Sequence, residues 1–282
     1  YNYKPDLLIF GHADLIKDTT LSYLKENYKN LKIAQWFLDP LIKNGPDYEK
    51  NKSRILDKIE FTDANFITTS PDVLNFLPKN KLSLFMPNPT DHSFEVLNNF
   101  NNNSCSMDVF FALSHGVHRG ILKKGKYDER ADFVNRLVEV TPNVKFDLYG
   151  INNVQPIWAD SFLKSISNAK MGVNLSRGNP IKYYSSDRIT QLIGNGLLTF
   201  IHKDTLYSNF FSDNEIVYYS NLSNLSEKIQ RFARDDKSRK KIAKNGKTKY
   251  MKFFNSTIVA DYIINNTFDI KHKKGKYMWS KK

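Results

Sequence analysis

The chain has 282 residues, 40% of them hydrophobic and 13% aromatic, so it can bury a core and is not a disordered polymer. No apolar run approaches the roughly 20 residues that a membrane-spanning helix needs, and the single cysteine, Cys105, cannot form an internal disulfide. The net charge of +13 favours anionic partners, whether nucleotide phosphates, nucleic acid or acidic lipid, without choosing among them.

The opening YNYKPDLLIF shows no leader pattern and runs at once into a strand, as expected of a piece of a longer protein or of one trimmed at its start. Strands and helices then alternate, the pattern of parallel sheets covered on both faces. DLLIF at 6–10 is a strand followed by the loop GHADLI. TTLSYLKENY at 19–28 is an amphipathic helix, and KIAQWFL at 32–38 is a strand ending before Asp39 and Pro40. A helix through 49–61 leads to the strand ANFITTS at 64–70, and PDVLNFL opens a further helix with Pro71 in its first turn. KLSLFMPNP at 81–89 is a strand running into a turn. The polar, asparagine-rich VLNNFNNNSCSM at 96–107 is the expected linker.

After it the alternation restarts: strands DVFFALS, VKFDLYG, KMGVNLS, LLTFI and EIVYYS interleave with helices beginning at ERADFV, WADSFL and SSDRIT. Basic helices and the apolar STIVADYIINNTF close the chain. The fold class is therefore α/β, with two Rossmann-like domains facing a cleft. Residues 1–99 form a first, apparently shortened domain on the acceptor side; residues 100–254 form a second, nucleotide-binding one; residues 255–282 are a C-terminal helix and basic tail. Lysines in that tail read as a solvated face, or as a membrane-surface patch with Trp279 at the interface.

Ligands of such sheets bind beyond the carboxyl ends of the strands. There the second half carries His115, Gly116 and Arg119 in HGVHRG, then Tyr149 and Gly150, then RGNPIKYYSSDR with Arg177, Lys182 and Arg188 within a dozen positions. Three cations around a helix N-terminus form a diphosphate signature. Ser185, Ser186 and Asp187 can cap that helix, Ile189, Leu192 and Ile193 form its buried face, and Arg188 and Gln191 share the other side. In the first half, His12 and Asp14 follow one strand and Asp39 another. His12 is a candidate base, and Asp39 serves equally well as a cap of the turn before Pro40.

The second half resembles the C-terminal domain of GT-B glycosyltransferases, most closely the CgeB-like, spore-maturation group, through FFALSHG, FDLYG, MGVNLS, SSDRITQLIGNGLLTFI and FFSDNEIVYYSNLSNLSEKI. The first half is similar to the acceptor-side domain through KPDLLIFGHADLI, KIAQWFLDP and DANFITTSPDVL. The resemblance implies transfer of a sugar from a nucleotide donor to a hydroxyl acceptor, either a glycan, a lipid-linked saccharide or a protein. It implies no metal and no cofactor, and the sequence has no Asp-x-Asp pair to hold a divalent ion. It places Gln191, five residues before Gly196, where the family carries a ribose-binding acid, and Tyr183 where the wider set carries an acid on the sugar. Arg188 matches the family's arginine. A cytoplasmic protein is expected, free or at the inner face of the membrane. A non-catalytic sugar-nucleotide or glycan binder and a basic nucleic-acid-binding α/β protein stay open as alternatives, although no nucleic-acid module is present.

Overall fold

The computed structural model describes residues 4–45, 47–114, 128–273 and 275–280. The first half builds a parallel sheet from β1 (Leu7–Phe10), β2 (Lys32–Phe37), β3 (Ala64–Ile67) and β4 (Ser83–Phe85), ordered β1-β2-β3-β4. Helices α1 (Asp18–Asn27) and α2 (Tyr48–Ile59) make the crossovers. Every residue of β3 is buried, and α2 turns Ile55 and Ile59 inward against Phe37 and Ile67, the pairing that its 3.6-residue periodicity dictates.

The second half builds a five-stranded parallel sheet from β5 (Met107–Ala112), β6 (Phe146–Tyr149), β7 (Ala169–Asn174), β8 (Leu198–His202) and β9 (Val217–Tyr219). Its order is β6-β5-β7-β8-β9. Helices α3 (Glu129–Glu139), α4 (Ala159–Ser167), α5 (Arg188–Gly194), α6 (Leu222–Arg234) and α7 (Asp236–Phe253) flank it. The chain leaves β5 for the edge and returns to the opposite side, so the strand order reverses between β5 and β7. A crevice opens at that reversal, beyond the carboxyl ends of the two strands. No described helix is long and apolar enough to cross a membrane.

Two expectations change. The helix predicted from Pro71 is a single 3-10 turn, Pro71–Val73. Pro78 lacks the N–H a longer helix would use, and the segment is a loop between β3 and β4. The asparagine-rich stretch runs between β4 and β5, and part of it is packed. Asn99 and Phe100 are buried, and the Asn99 amide donates to the carbonyls of Ile166 and Ala169 at 2.7 and 2.8 Å. The tail, finally, folds back. The last helix, α8 (Ser256–Thr267), covers the first sheet, with Tyr262 edge-on to Phe66 at 5.7 Å. Trp279 is 5% exposed, packed on Phe254 and Tyr262, and so cannot anchor a membrane surface.

The two crossings between the halves lie side by side: Thr90 N–H donates to Phe254 O at 3.0 Å and Ser256 N–H to Thr90 O at 2.8 Å. The carboxyl ends of the two sheets face each other. Ser70 N–H, after β3, donates to Lys182 O at 3.1 Å, and the Asn88 amide, after β4, to Ser185 O at 2.8 Å.

Candidate functional site

The segment between β7 and α5 crosses the carboxyl ends of the second sheet. Ser185 does not cap α5 as its position suggests; its hydroxyl accepts from the Asn174 amide at 2.8 Å and donates to Ser186 O at 2.9 Å. Asp187 is already helical at φ −54°, and its side chain makes no cap. The first-turn N–H groups of Ile189 and Thr190 find the carbonyls of Ser186 and Asp187 instead. Ile189, Leu192 and Ile193 are buried as the spacing requires. Gly196 then turns the chain at φ +79°, where a Cβ would stand 2.7 Å from the Phe100 ring.

Arg188 spans the crevice. Its Nη1 donates to Leu175 O, beyond β7, at 2.8 Å and to Ser186 Oγ at 3.1 Å, while Nη2 donates to Ala112 O, the end of β5, at 3.0 Å. The guanidinium also lies over the Phe111 ring at 4.9 Å. Burial pushes its pKa down, to about 10, with the neighbouring Arg130 adding to the effect; it stays charged at neutral pH.

Arg188 lines one of two nearby cavities, and Leu175, whose carbonyl it bonds, lines the other. One, of about 570 Å³, is lined by Ser114, Trp158, Asp187, Arg188, Gln191 and Asn195 among others. Its size suits a nucleotide-sized ligand. Trp158, 40% exposed, offers an aromatic face, and the Gln191 amide makes no hydrogen bond among the described residues. Gly150 shapes the adjoining loop: its φ of +73° brings it so close to Leu113 that a Cβ would lie 2.1 Å from the Leu113 carbonyl oxygen. Tyr149 accepts a hydrogen bond from Ser165 Oγ at 3.0 Å and does not line the cavity. The second cavity, of about 590 Å³, lies between the domains, lined by Gly45 of the first and by Arg130, Leu175, Tyr184 and His202 of the second.

The other two cations face away from the first cavity. Arg177 pairs with Asp47 at 2.6 Å and Lys182 pairs with Asp72, so both tie the second domain to the first. Tyr183 also turns elsewhere, into an aromatic group with Phe85 and Phe210, its hydroxyl accepting from the Asn209 amide at 2.8 Å. Of the arginine, lysine and tyrosine expected around a diphosphate and its sugar, only Arg188 lines the cavity. His115, Gly116 and Arg119 lie outside the described residues.

On the acceptor side the three residues chosen from sequence come together. His12 Nε2 stands 3.0 Å from Asp39 Oδ2, and Arg54 bonds Asp14 through Nε at 3.1 Å and Nη2 at 2.6 Å. Those hydrogen bonds hold the Asp14 carboxyl below the usual carboxylate range. His12 and Asp39 remain 42% and 36% exposed, so a substrate can reach them. Tyr184 lines the interdomain cavity, and burial, then the Asp39 charge, push its phenol up. Sequence reasoning missed Arg54, because its partner Asp14 is 40 residues away and nothing in local spacing joins them. It also passed over Asn195 and Ser114, ordinary polar residues at a helix end and a strand end.

Two parallel sheets facing across a cleft, with a crevice at the strand reversal of the second, define the GT-B class of two-domain α/β proteins. Residues 129–265 match the family described as "Glycosyl transferase-like". Solved structures of GT-B glycosyltransferases share the fold. TarM of S. aureus is 12% identical over 93% of this chain and 54% of its own, with a TM-score of 0.63. HepE of Anabaena, solved with UDP and glucose, is 11% identical over 94% of this chain and 78% of its own, with a TM-score of 0.63. Sucrose-phosphate synthase of Thermosynechococcus elongatus is 13% identical over 94% and 74%, with a TM-score of 0.62. The chain thus spans about half the length of TarM. No curated protein matches it in sequence.

Proposed function

We propose that the protein is a glycosyltransferase that moves a hexosyl or deoxyhexosyl group from a nucleotide sugar to a hydroxyl acceptor, without a metal or other cofactor. The observation that carries this reading is the place of Arg188, which lines a cavity of nucleotide size and bonds to the carbonyl of Leu175, a residue of the interdomain cavity, while the exposed His12–Asp39 pair stands on the first domain. The nucleoside fits the first cavity, its base against Trp158 and its ribose within reach of the Gln191 amide, which can donate or accept without charge. The acceptor binds on the side of the first domain, with its hydroxyl directed at the exposed His12. His12 takes the hydroxyl proton, and the acceptor oxygen bonds to the anomeric carbon. The bond from that carbon to the diphosphate breaks, and its electron pair leaves on the diphosphate beside Arg188, where a preorganised cation stabilises it. The CgeB-like subgroup, a glycan, lipid-linked or protein acceptor, and work at the cytoplasmic face of a membrane are parts of the same reading. HepE has been solved with UDP-glucose, which makes UDP-sugars the first donors to try.

The test is release of nucleoside diphosphate from UDP-, GDP-, ADP- and dTDP-sugars, and of CMP from CMP-sugars, with glycan acceptors present. Release from one donor, abolished in His12→Gln, supports the reading. Binding of a nucleotide sugar with no release under any acceptor favours the non-catalytic alternative. That alternative has one observation behind it: Arg177 and Lys182 are already neutralised by Asp47 and Asp72.

A further inference from the structure

Arg54, on α2, lines neither cavity, yet two carboxylates of the acceptor-side cluster converge on it. It forks onto Asp14 through Nε at 3.1 Å and Nη2 at 2.6 Å. Its Nη1 stands 3.5 Å from Asp39 Oδ2, the same oxygen that His12 Nε2 approaches at 3.0 Å. A carboxylate beside an imidazole on its own favours the imidazolium, which has no lone pair left to accept a proton. A guanidinium on the same oxygen works in the opposite sense. Asp14 is a second carboxylate within electrostatic reach of His12, and the fork sets the guanidinium charge against it.

We propose that Arg54 is a positioning residue of the acceptor-side centre: by forking onto Asp14 and sharing one oxygen of Asp39, it offsets the two carboxylates near His12 and leaves the imidazole able to accept a proton. The proposal rests on the reading of His12 as the base. The described charged and titratable groups around the cluster are Asp14, Asp39 and Arg54, with Lys50 acting on Asp14 and Tyr184 facing Asp39. Lys50 sits on α2 with Arg54, and Tyr184 comes from the opposite domain. Phe37 supplies an uncharged wall, its ring centroid 5.6 Å from that of His12.

The experiment is an NMR titration of the His12 imidazole in donor-free protein, its signal assigned by loss in His12→Gln. Arg54→Met should raise the His12 midpoint by roughly half a unit or more, and Asp39→Asn should lower it, since one change removes a positive neighbour and the other a negative one. Arg54→Lys, which keeps the charge but not the fork, should fall between wild type and Arg54→Met. Should Arg54→Met not fold, Arg54→Gln carries the same prediction. In turnover, the acid limb of kcat/KM should move with the NMR midpoint. A folded Arg54→Met or Arg54→Gln whose His12 midpoint stays put or falls overturns the proposal. Undiminished transfer by His12→Gln overturns the base reading, while the NMR shift still decides whether Arg54 governs His12.

Discussion

Arg188 does two things with one guanidinium. It satisfies the carbonyls of Ala112, the end of β5, and Leu175, just past β7, and it places a positive charge where a departing diphosphate would gather negative charge. Lysine cannot do the first, because a single ammonium has no planar fork to span two carbonyls. Arg188→Lys should therefore fold but lose about 10²-fold in kcat with a smaller change in KM, as steady-state kinetics with the active donor will show. Choosing Arg188, Gln191, His12, Asp14 and Asp39 from sequence was possible because each follows a strand, where such sheets bind ligands. Arg177, Lys182 and Tyr183 follow a strand as well, but their direction depends on Asp47, Asp72 and Phe210, remote in sequence. Residue position was legible; side-chain direction, set by tertiary partners, was not.

The elements themselves were read with few errors, since buried parallel strands are unbroken apolar runs and their helices carry a clear stripe. The exceptions have local causes. Pro71 opens only a short turn, and Asn99 is a buried amide donor within the stretch read as a linker. The segment around α5 depends on Gly196, which combines a left-handed turn with contact against Phe100. Gly196→Ala should cost about 1–3 kcal/mol of stability from the backbone conformation, more as Phe100 is displaced, measurable by urea unfolding. Loss of less than a few tenths would mean that the turn relaxes freely.

At the scale of the whole molecule, two ion pairs tie the domains together. Arg177–Asp47 and Lys182–Asp72 both bridge the cleft. Burial pushes the Asp72 carboxyl up, but hydrogen bonds from Lys182 and Ser70 outweigh it and hold it below its ordinary value. A depressed carboxyl contributes its stability above the unfolded value near 4 and loses it as pH falls through the folded one. The stability difference between wild type and Asp72→Asn should thus be present at pH 6 and shrink toward pH 3, as urea midpoints at the two pH values will show. Two domains and a cleft were legible in the sequence. The return of α8 to the first sheet and the burial of Trp279 were not, because they pair the two ends of the chain.

The central claim is that the crevice between β5 and β7 binds a nucleotide. It is tested most directly by the melting temperature of the protein with UDP, GDP, ADP, CMP and dTDP, repeated on Gln191→Ala. A ligand at a hundred times its dissociation constant stabilises the folded state by about 2.7 kcal/mol, a visible rise. The account predicts a rise with one of these nucleotides, UDP first, that shrinks in Gln191→Ala while the variant melts as wild type without ligand. No rise with any nucleotide on folded protein, or one that Gln191→Ala leaves intact, would contradict it.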